Sequence, residues 1–164
     1  MIKAIYSGSF DPLTLGHLDI ITRASKLFDL TVGVATNPSK QPLFSQRFRV
    51  IQIVEVLKES NLNVKVGEVN GLLAKYCAAN DIKVIVRGLR NTFDFEYEFD
   101  MAHVNAGLGD IETVFIPAHG SHTHISSSTV RQLASLGADY SAYVPEPIRK
   151  ALHSKFCNLD NLGI

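Results

Sequence analysis

The chain has 164 residues, of which 46% are hydrophobic and 20% are charged. This length suits one domain with a substantial core and is too short for two domains of ordinary size, and the composition excludes a largely disordered chain. The formal net charge is zero, which argues against nucleic acid as the main partner, because proteins that bind a phosphate backbone usually carry a basic surface.

The first predicted strand covers residues 2–7, and apolar residues recur at helical spacing from Leu18 to Phe28. Residues 8–17 are therefore predicted to join a strand to a helix. In an open α/β sheet such turns lie at the carboxyl ends of the strands, where ligands bind, and the helix start presents unpaired N–H groups. Because a helix start of this kind attracts phosphate, we expect an anion site at this turn.

Individual residues of this turn suit an anion site. Gly8 and Gly16 lack a Cβ, which permits a positive φ and the close approach of a ligand. Thr14 is predicted to cap the helix, and His17 falls in or just before the first helical turn. An imidazole placed there can donate a hydrogen bond to a phosphoryl oxygen. The alternative for the same residues is a tight loop with an incidental surface histidine.

Strands and helices alternate through the middle of the chain. A second strand is predicted over residues 30–36, a helix over 46–59, a strand near 64–69, a helix near 72–80 and a strand over 83–86. In the helix over 46–59, the residues at core spacing are Phe48, Ile51, Val54 or Glu55, and Leu57 or Lys58.

This rhythm predicts parallel strands with crossover helices on both faces, that is, a doubly wound, Rossmann-like α/β sheet of about five strands. Residues 1–164 contain no stretch typical of an interdomain linker, so we expect a single domain. The chain also lacks the Gly-x-x-x-x-Gly-Lys-Ser/Thr phosphate loop and the Gly-x-Gly-x-x-Gly fingerprint. A nucleotide would therefore bind at the turn before His17.

Residues 93–100 alternate aromatic and acidic side chains. Strict alternation favours a strand, but Asp and Glu are poor strand residues and residues 101–104 continue well as a helix. We predict a helix, which supplies the crossover to the next strand at residues 113–116. Its acids are expected to form a solvated or interface face, with Glu98 as the exception.

Cationic side chains follow two predicted strands. Arg87 and Arg90 come directly after the strand over residues 83–86, at the same sheet edge as His17, and their guanidinium forks suit phosphate oxygens. Lys40 is placed likewise at the end of the second strand. Surface ion pairing of the arginines and plain solvation of the lysine are the alternatives.

The last third of the chain offers hydroxyls, histidines and a final helix. Serines before the predicted helix at Val130 are ordinary caps or, with Arg131 one turn on, a second anion site. His119, His122 and His124 match no common zinc spacing, so we expect a nucleotide-contacting loop and no metal site. Residues 145–156 are predicted to form an amphipathic helix.

The amino terminus and the cysteines bear on where the protein works. Residues 1–4 lead directly into a strand pattern and lack the features of a signal peptide. No apolar run approaches the roughly 20 residues that cross a bilayer, so we expect no membrane segment and a cytoplasmic location. Cys77 and Cys157 form no Cys-x-x-Cys pair, and both are expected to be reduced structural thiols.

Four motifs in order carry a family resemblance: residues 8–17, 87–90, 94–98 and 125–128. With them the chain resembles the bacterial phosphopantetheine adenylyltransferase family of the nucleotidylyltransferase superfamily over nearly its full length. The resemblance implies transfer of the adenylyl group of ATP to 4′-phosphopantetheine with Mg²⁺, which yields dephospho-coenzyme A and pyrophosphate in the penultimate step of coenzyme A biosynthesis. It also implies a homohexamer that coenzyme A restrains by feedback.

The resemblance implies roles for individual residues as well. It makes His17, Lys40 and Arg90 catalytic, with His17 at the α-phosphate. The implied ATP-binding residues are Ser9, Phe10, His17, Gly88, Leu89, Arg90, Glu98, His122, Thr123, His124, Ile125, Ser126, Ser127 and Ser128. The implied phosphopantetheine-binding residues are Ser9, Lys40, Leu73 and Arg87.

The chain departs from the family pattern at several positions. Ser9 stands where the family usually has Thr and keeps the hydroxyl, Ser7 replaces Pro, Arg47 and Phe48 replace an acidic pair, and His122 replaces a frequent Trp. Two alternatives remain. One is another small nucleotidylyltransferase that makes a dinucleotide cofactor or activates a phospho-alcohol with CTP, and the other is a catalytically silent nucleotide-binding module.

Overall fold

A computed structural model of the chain describes residues 1–36 and 41–160. Strands and helices alternate as the sequence predicts. The elements are β1 (Lys3–Gly8), α1 (Leu15–Ala24), β2 (Asp29–Ala35), α2 (Gln46–Glu59), β3 (Lys65–Val69), α3 (Leu73–Ala79), β4 (Val84–Leu89), α4 (Thr92–Leu108), β5 (Glu112–Pro117), α5 (Ser127–Ser135) and α6 (Glu146–Asp160). Single 3₁₀ turns lie at Gly120–His122 and Ser141–Tyr143.

The five strands form one sheet in the order β3-β2-β1-β4-β5, and every strand pair is parallel. This confirms the predicted doubly wound α/β sheet. The chain builds outward from β1 to β3 on one side and then crosses to β4 and β5 on the other. The strand order therefore reverses between β1 and β4, and in open α/β sheets ligands bind outside the carboxyl ends of the strands at such a point.

Side chains of the central strands alternate between the two faces of the sheet. Ala4 and Tyr6 of β1 belong to the larger hydrophobic cluster, whereas Ile5 of β1 and Ile85 of β4 belong to the smaller one on the other face. Because helices cover both faces, these strands are apolar in sequence and buried on both sides. This packing fixes the strand ends that carry the candidate site.

The predicted core face of α2 is wrong. Phe48, Ile51 and Val54 are 41%, 54% and 49% exposed, and of the predicted set only Leu57 is buried. The helix instead turns inward the face that carries Arg49, whose guanidinium donates hydrogen bonds to backbone carbonyls inside the protein. Ile53, Val56 and Leu57 are buried on the same side of α2, which leaves an apolar stripe facing outward.

Helix α4 confirms the prediction of a helix over residues 93–100, and none of its residues is buried. Its aromatic side chains are largely outward, with Phe93 83% and Tyr97 65% exposed. Asp94 and Glu98, four residues apart, are the half-buried acids of this segment. The expectation that Glu98 differs from a solvated face is therefore confirmed, and Asp94 shares its position.

Two smaller expectations concern the thiols and the membrane. Cys77 is a buried free thiol, as predicted, and burial raises its pKa. The side chain of Cys157 lies outside the described part of the chain. In residues 1–36 and 41–160 no helix is long and apolar enough to cross a membrane.

Candidate active site

Thr14 and His17 cap the start of α1 reciprocally. The backbone N–H of His17 donates to Thr14 Oγ1 at 3.4 Å, and the backbone N–H of Thr14 donates to His17 Nδ1 at 3.0 Å. This confirms the predicted cap and places His17 in the first helical turn. Because Nδ1 accepts a hydrogen bond, the neutral ring carries its proton on Nε2.

The surroundings of His17 keep its ring neutral. Burial and, to a smaller extent, the charges of Arg90 and Arg87 together lower the pKa of His17 to about 4. At pH 7 the ring is therefore an uncharged N–H donor at a helix N-terminus. Such a donor can hydrogen-bond to a phosphoryl oxygen on which negative charge develops, and it avoids the desolvation cost of burying a cation.

The turn before His17 is held in a conformation that only some residues adopt. Phe10 has φ 46°, in the left-handed region, and its side chain is 2% exposed. Its ring meets those of Tyr6 and His17 edge to face, with centroids 5.3 and 5.1 Å apart. A Cβ on Gly8 would lie 3.1 Å from Phe10 Cζ. Neither Gly8 nor Gly16 uses the positive φ that a glycine permits. Phe10 adopts it instead, and Gly8 makes room for the aromatic ring.

Arg49 and Asp11 hold this turn through buried hydrogen bonds, and the sequence pattern did not indicate these roles. Arg49 is 2% exposed and donates to the carbonyls of Ser9, Ala35 and Phe44, the last two at 3.0 and 3.1 Å. Asp11 is 4% exposed and accepts from the backbone N–H of Phe44 at 3.1 Å. These buried bonds connect the turn after β1 to the end of β2 and the start of α2.

Arg87 lies on β4 beside the end of β1. Its Nε donates to Glu98 at 2.5 Å, its Nη2 donates to the other oxygen of Glu98, and its Nη1 donates to the Ser7 carbonyl at 2.6 Å. Burial alone would lower the pKa of Arg87, but the hydrogen bond and the charge of Glu98, with smaller contributions from Tyr6 and Tyr97, together raise it. The guanidinium is therefore a permanent cation with a fixed orientation.

Arg90 follows the end of β4 and is bound in a similar way. Its Nε and Nη2 donate to the two oxygens of Asp94 at 2.8 and 3.0 Å, and Nη1 donates to the Ile125 carbonyl at 3.4 Å. The bond to Asp94 raises the pKa of Arg90. Both arginines thus stand at the sheet edge that carries His17, as the sequence predicts.

Gly88 lies between Arg87 and Arg90, and its lack of a side chain allows α1 to pack closely against β4. A Cβ at Gly88 would lie 3.0 Å from Ile20 Cγ1. Ile20 of α1 occupies the space that a Cβ would need, and Gly88 also lines the cleft. Gly88 therefore sets how closely the His17 helix approaches the arginine strand.

The start of α5 closes the site from the other side. Ser126 caps the helix by accepting from the backbone N–H of Thr129 at 3.0 Å, and Ser127 Oγ donates to the Pro12 carbonyl at 2.8 Å. Arg131 lies 3.3 Å from Asp11 and does not line the cleft. Of the features predicted for a second anion site, the helix start and the serine hydroxyls are present at the cleft, but Arg131 is not.

These elements enclose a cleft of about 380 Å³ at the point between β1 and β4 where the strand order reverses. Among the described residues, the predicted ones that line it are Ser9, Phe10, His17, Arg87, Gly88, Arg90, Glu98, His122, Ile125, Ser126, Ser127 and Ser128. Lining residues that were not predicted to bind ligand include Tyr6, Ser7, Ile20, Asp94 and Ala118.

Other predicted residues do not line this cleft. Leu73 starts α3 and packs on the smaller hydrophobic cluster, and the carbonyl of Leu89 accepts from the Ala118 N–H at 2.7 Å. Thr123 Oγ1 donates to the Gly120 carbonyl, and the ring of His124 packs against Tyr143. Their ligand roles stay predictions. Lys40 lies outside the described residues.

Within the described ranges, no group of three or more His, Cys, Asp or Glu could hold a metal ion. The three clustered histidines have different surroundings. His122 lines the cleft with its ring centroid 6.2 Å from that of His119, His119 Nδ1 lies 3.0 Å from Ser121 Oγ, and His124 is exposed beside Tyr143. The two carboxylates that line the cleft, Asp94 and Glu98, both bind arginines. The described cleft therefore presents cations and N–H donors, a surface suited to anionic groups rather than to a protein-held metal.

Fold and cleft together define a nucleotidylyltransferase. The cytidylyltransferase-like family model matches residues 5–133. A bifunctional NMN adenylyltransferase/ADP ribose pyrophosphatase of known structure from Francisella tularensis superposes with a TM-score of 0.66 at 14% identity, covering 87% of this chain and 44% of that one. At this identity the match shows the fold alone.

Sequence relatives narrow the class. A phosphopantetheine adenylyltransferase from Clostridium novyi is 47% identical over 157 residues, which cover 94% of this chain and 97% of the relative. Another from Gloeothece citriformis is 49% identical over 147 residues, covering 88% and 93% of the two chains. The chain therefore belongs to the phosphopantetheine adenylyltransferase family.

Proposed function

We propose that the chain transfers the adenylyl group of ATP to 4′-phosphopantetheine and releases pyrophosphate. The observation that carries this proposal is the meeting, in one cleft, of a neutral histidine donor at a helix N-terminus with two arginines at the end of the neighbouring strand. Family membership supports the choice of substrates. Dephospho-coenzyme A is then the second product, one step before coenzyme A.

The chemistry needs alignment more than acid–base catalysis. A phosphate oxygen of phosphopantetheine attacks the α-phosphorus of ATP, and the bond from that phosphorus to the oxygen bridging the β-phosphorus breaks. Because the second pKa of a phosphate monoester is about 6, the nucleophile is largely deprotonated at pH 7 and needs no general base. This suits a cleft whose carboxylates, Asp94 and Glu98, are already bound to arginines.

Charge develops on the α-phosphoryl oxygens as the new bond forms. The proton on His17 Nε2 and the N–H groups that begin α1 are the donors that would bind these oxygens. Arg90 would neutralise the phosphates of ATP, and Arg87 would hold the phosphate of phosphopantetheine. Lys40 remains a proposed catalytic cation from the family pattern. These groups bind charge that is already in the substrates and do not exchange protons with them.

Magnesium is proposed as the companion of ATP. In the described residues no carboxylate cluster fits a protein-held cation, and the lining carboxylates are bound to arginines. Mg²⁺ usually enters such sites on the phosphates of the substrate and keeps several waters. It would supply charge neutralisation on the triphosphate.

We also propose self-association into a homohexamer. The outward side chains of α4 support it: Phe93, Tyr97 and Leu108 are 83%, 65% and 57% exposed, a row of large apolar groups that a solvated helix rarely carries. Sedimentation velocity should give six times the chain mass, and Tyr97→Glu should lower it. A wild-type monomer would contradict this part of the proposal.

Coenzyme A is proposed as a feedback inhibitor. It differs from the product dephospho-coenzyme A by one additional phosphate, so a cleft that fits the product accommodates most of it. Inhibition should be competitive with both substrates. Because both substrates are metabolites of the cell interior, we propose that the enzyme works in the cytoplasm.

Pyrophosphate release tests the proposed function. ATP and Mg²⁺ are supplied with 4′-phosphopantetheine, with pantetheine that lacks the phosphate, or with nicotinamide mononucleotide, and CTP is supplied with glycerol 3-phosphate. We expect release with 4′-phosphopantetheine alone and its loss in His17→Ala. Faster release with another acceptor would support a different nucleotidylyltransferase, and ATP binding without turnover would support a silent module.

A further inference from the structure

The two arginines of the cleft are bound by α4 in matching arrangements. Glu98 accepts from Nε and Nη2 of Arg87, and Asp94 accepts from Nε and Nη2 of Arg90. In both arginines Nη1 donates to a backbone carbonyl of another segment. Because Asp94 and Glu98 are four residues apart, they share one face of the helix. One helix face therefore sets the orientation of both cations.

Some N–H groups of Arg87 and Arg90 remain available to a ligand in this arrangement. A guanidinium has five N–H groups. In Arg87 and in Arg90, three of them meet partners among the described residues, which leaves one N–H on each terminal nitrogen. These two N–H groups are the donors that each guanidinium keeps for phosphate oxygens. The carboxylates thus occupy the Nε side of each guanidinium, and each terminal nitrogen keeps one donor for an anion.

The remaining acids of this segment provide a contrast. Glu96 and Asp100 are exposed, whereas the side chains of Asp94 and Glu98 are 23% and 13% exposed. The four acids therefore divide into an inner pair bound to arginines and an outer pair on the solvent face. Charge and helix are the same for both pairs, so the outer pair supplies matched controls.

We propose that Asp94 and Glu98 are positioning residues, with Asp94 orienting Arg90 towards ATP and Glu98 orienting Arg87 towards the phosphate of phosphopantetheine. The inference rests on the proposed function, from which it takes the two substrates. It changes the role of Glu98, which the family resemblance gives to ATP, because both carboxylate oxygens of Glu98 are bound by Arg87. It adds Asp94, which the resemblance leaves without a role.

Binding of each substrate alone separates these roles without turnover. Calorimetry with ATP and, separately, with 4′-phosphopantetheine would compare wild type, Asp94→Asn and Glu98→Gln, with Glu96→Gln and Asp100→Asn as controls. An amide offers one acceptor where the carboxylate offers two. We expect Asp94→Asn to weaken ATP binding about tenfold, the scale of one lost charged hydrogen bond, and to leave phosphopantetheine binding within about twofold. Glu98→Gln should show the reverse, and the controls should match wild type.

A double-mutant cycle tests the path through the arginine. Lysine has no fork to orient, so in an Arg90→Lys background Asp94→Asn should weaken ATP binding no further. An undiminished loss in that background would overturn the inference. Asp94→Glu keeps the charge and should recover part of the ATP affinity, and it replaces Asp94→Asn in the comparison if the amide variant does not fold.

Other outcomes also decide the matter. If both inner variants weaken both substrates equally, the acids only hold α4 in place, and the positioning roles are wrong. If Glu98→Gln weakens ATP alone, the role given to Glu98 is wrong. If the wild type binds ATP but not phosphopantetheine, the proposed function is contradicted. In that case ATP binding by wild type and Asp94→Asn still tests whether Asp94 positions Arg90.

Discussion

His17 has two separable tasks, and amide side chains can test them one at a time. Its Nδ1 accepts from the backbone N–H of Thr14, and its Nε2 is the donor proposed for the α-phosphate. In His17→Asn the side-chain oxygen occupies the position of Nδ1 and the distal donor is absent. In His17→Gln the amide reaches the position of Nε2 and the proximal acceptor is absent. His17→Ala removes both.

The structure sets the size of each effect. Thr14 is 1% exposed, so its N–H has no water to replace Nδ1, and leaving such a donor unpaired costs about 1–3 kcal/mol. Losing one donor to a developing oxyanion lowers turnover by about 10²–10³, or roughly 2.7–4 kcal/mol of transition-state stabilisation. His17→Asn should therefore lose turnover and keep stability. His17→Gln should lose stability and keep much of its turnover, and His17→Ala should lose both.

Pyrophosphate release measures turnover, and urea unfolding measures stability. His103→Ala, an exposed histidine substitution on α4, is the control and should match wild type in both. If His17→Asn turns over at the wild-type rate, the donor role of Nε2 is refuted. If His17→Gln is as stable as wild type, the reciprocal cap is energetically unimportant.

Three further predictions concern stability and packing. The pKa of His17 is about 4 in the folded chain and about 6.5 in an unfolded one, so the unfolded state binds more protons between these pH values. The free energy of unfolding should therefore fall as the pH falls from 6.5 to 4. Urea titrations should give a steeper fall for wild type than for His17→Asn, and equal slopes would contradict the neutral ring. Gly88→Ala puts a Cβ 3.0 Å from Ile20 Cγ1. It should lower the free energy of unfolding, measured in urea, by about 1–3 kcal/mol and also reduce turnover. If the loss of stability is equally large in an Ile20→Ala background, this contact is not its cause. Arg49→Met leaves three carbonyls without their buried donor and should lower the free energy of unfolding by about 1–3 kcal/mol. Arg47 is exposed, so Arg47→Met should stay within about 0.5 kcal/mol of wild type. Equal effects of the two substitutions in urea unfolding would contradict the role of Arg49.

The sequence predicted the sheet and the position of the site because both depend on local patterns. Alternation of apolar strands and amphipathic helices leaves a parallel, doubly wound sheet as the simplest arrangement. The turn chemistry around Thr14 and His17 identified the helix start directly. Arg87 and Arg90 followed from their place at the end of a predicted strand.

What the sequence could not predict depends on contacts between distant segments. Two faces of α2 carry apolar residues at helical spacing, and the buried one is the face of Ile53 and Val56 that also carries Arg49. Arg49 donates to the Ser9 carbonyl 40 residues away, a contact that apolar spacing does not reveal. The left-handed conformation of Phe10 depends on packing against Tyr6 and His17. The inward pair of acids on α4 depends on where the two arginines lie, so the sequence singled out Glu98 but not its partner in this pair, Asp94.

The central claim is that the α-phosphate of ATP binds at the amino end of α1, against the ring of His17. A crystal structure with the non-cleavable analogue α,β-methylene-ATP and Mg²⁺ measures this directly. We predict an α-phosphoryl oxygen within about 3.2 Å of His17 Nε2, with Arg90 on the phosphates of the same nucleotide. An α-phosphate bound elsewhere, with the His17 ring contacting no phosphoryl oxygen, would contradict it.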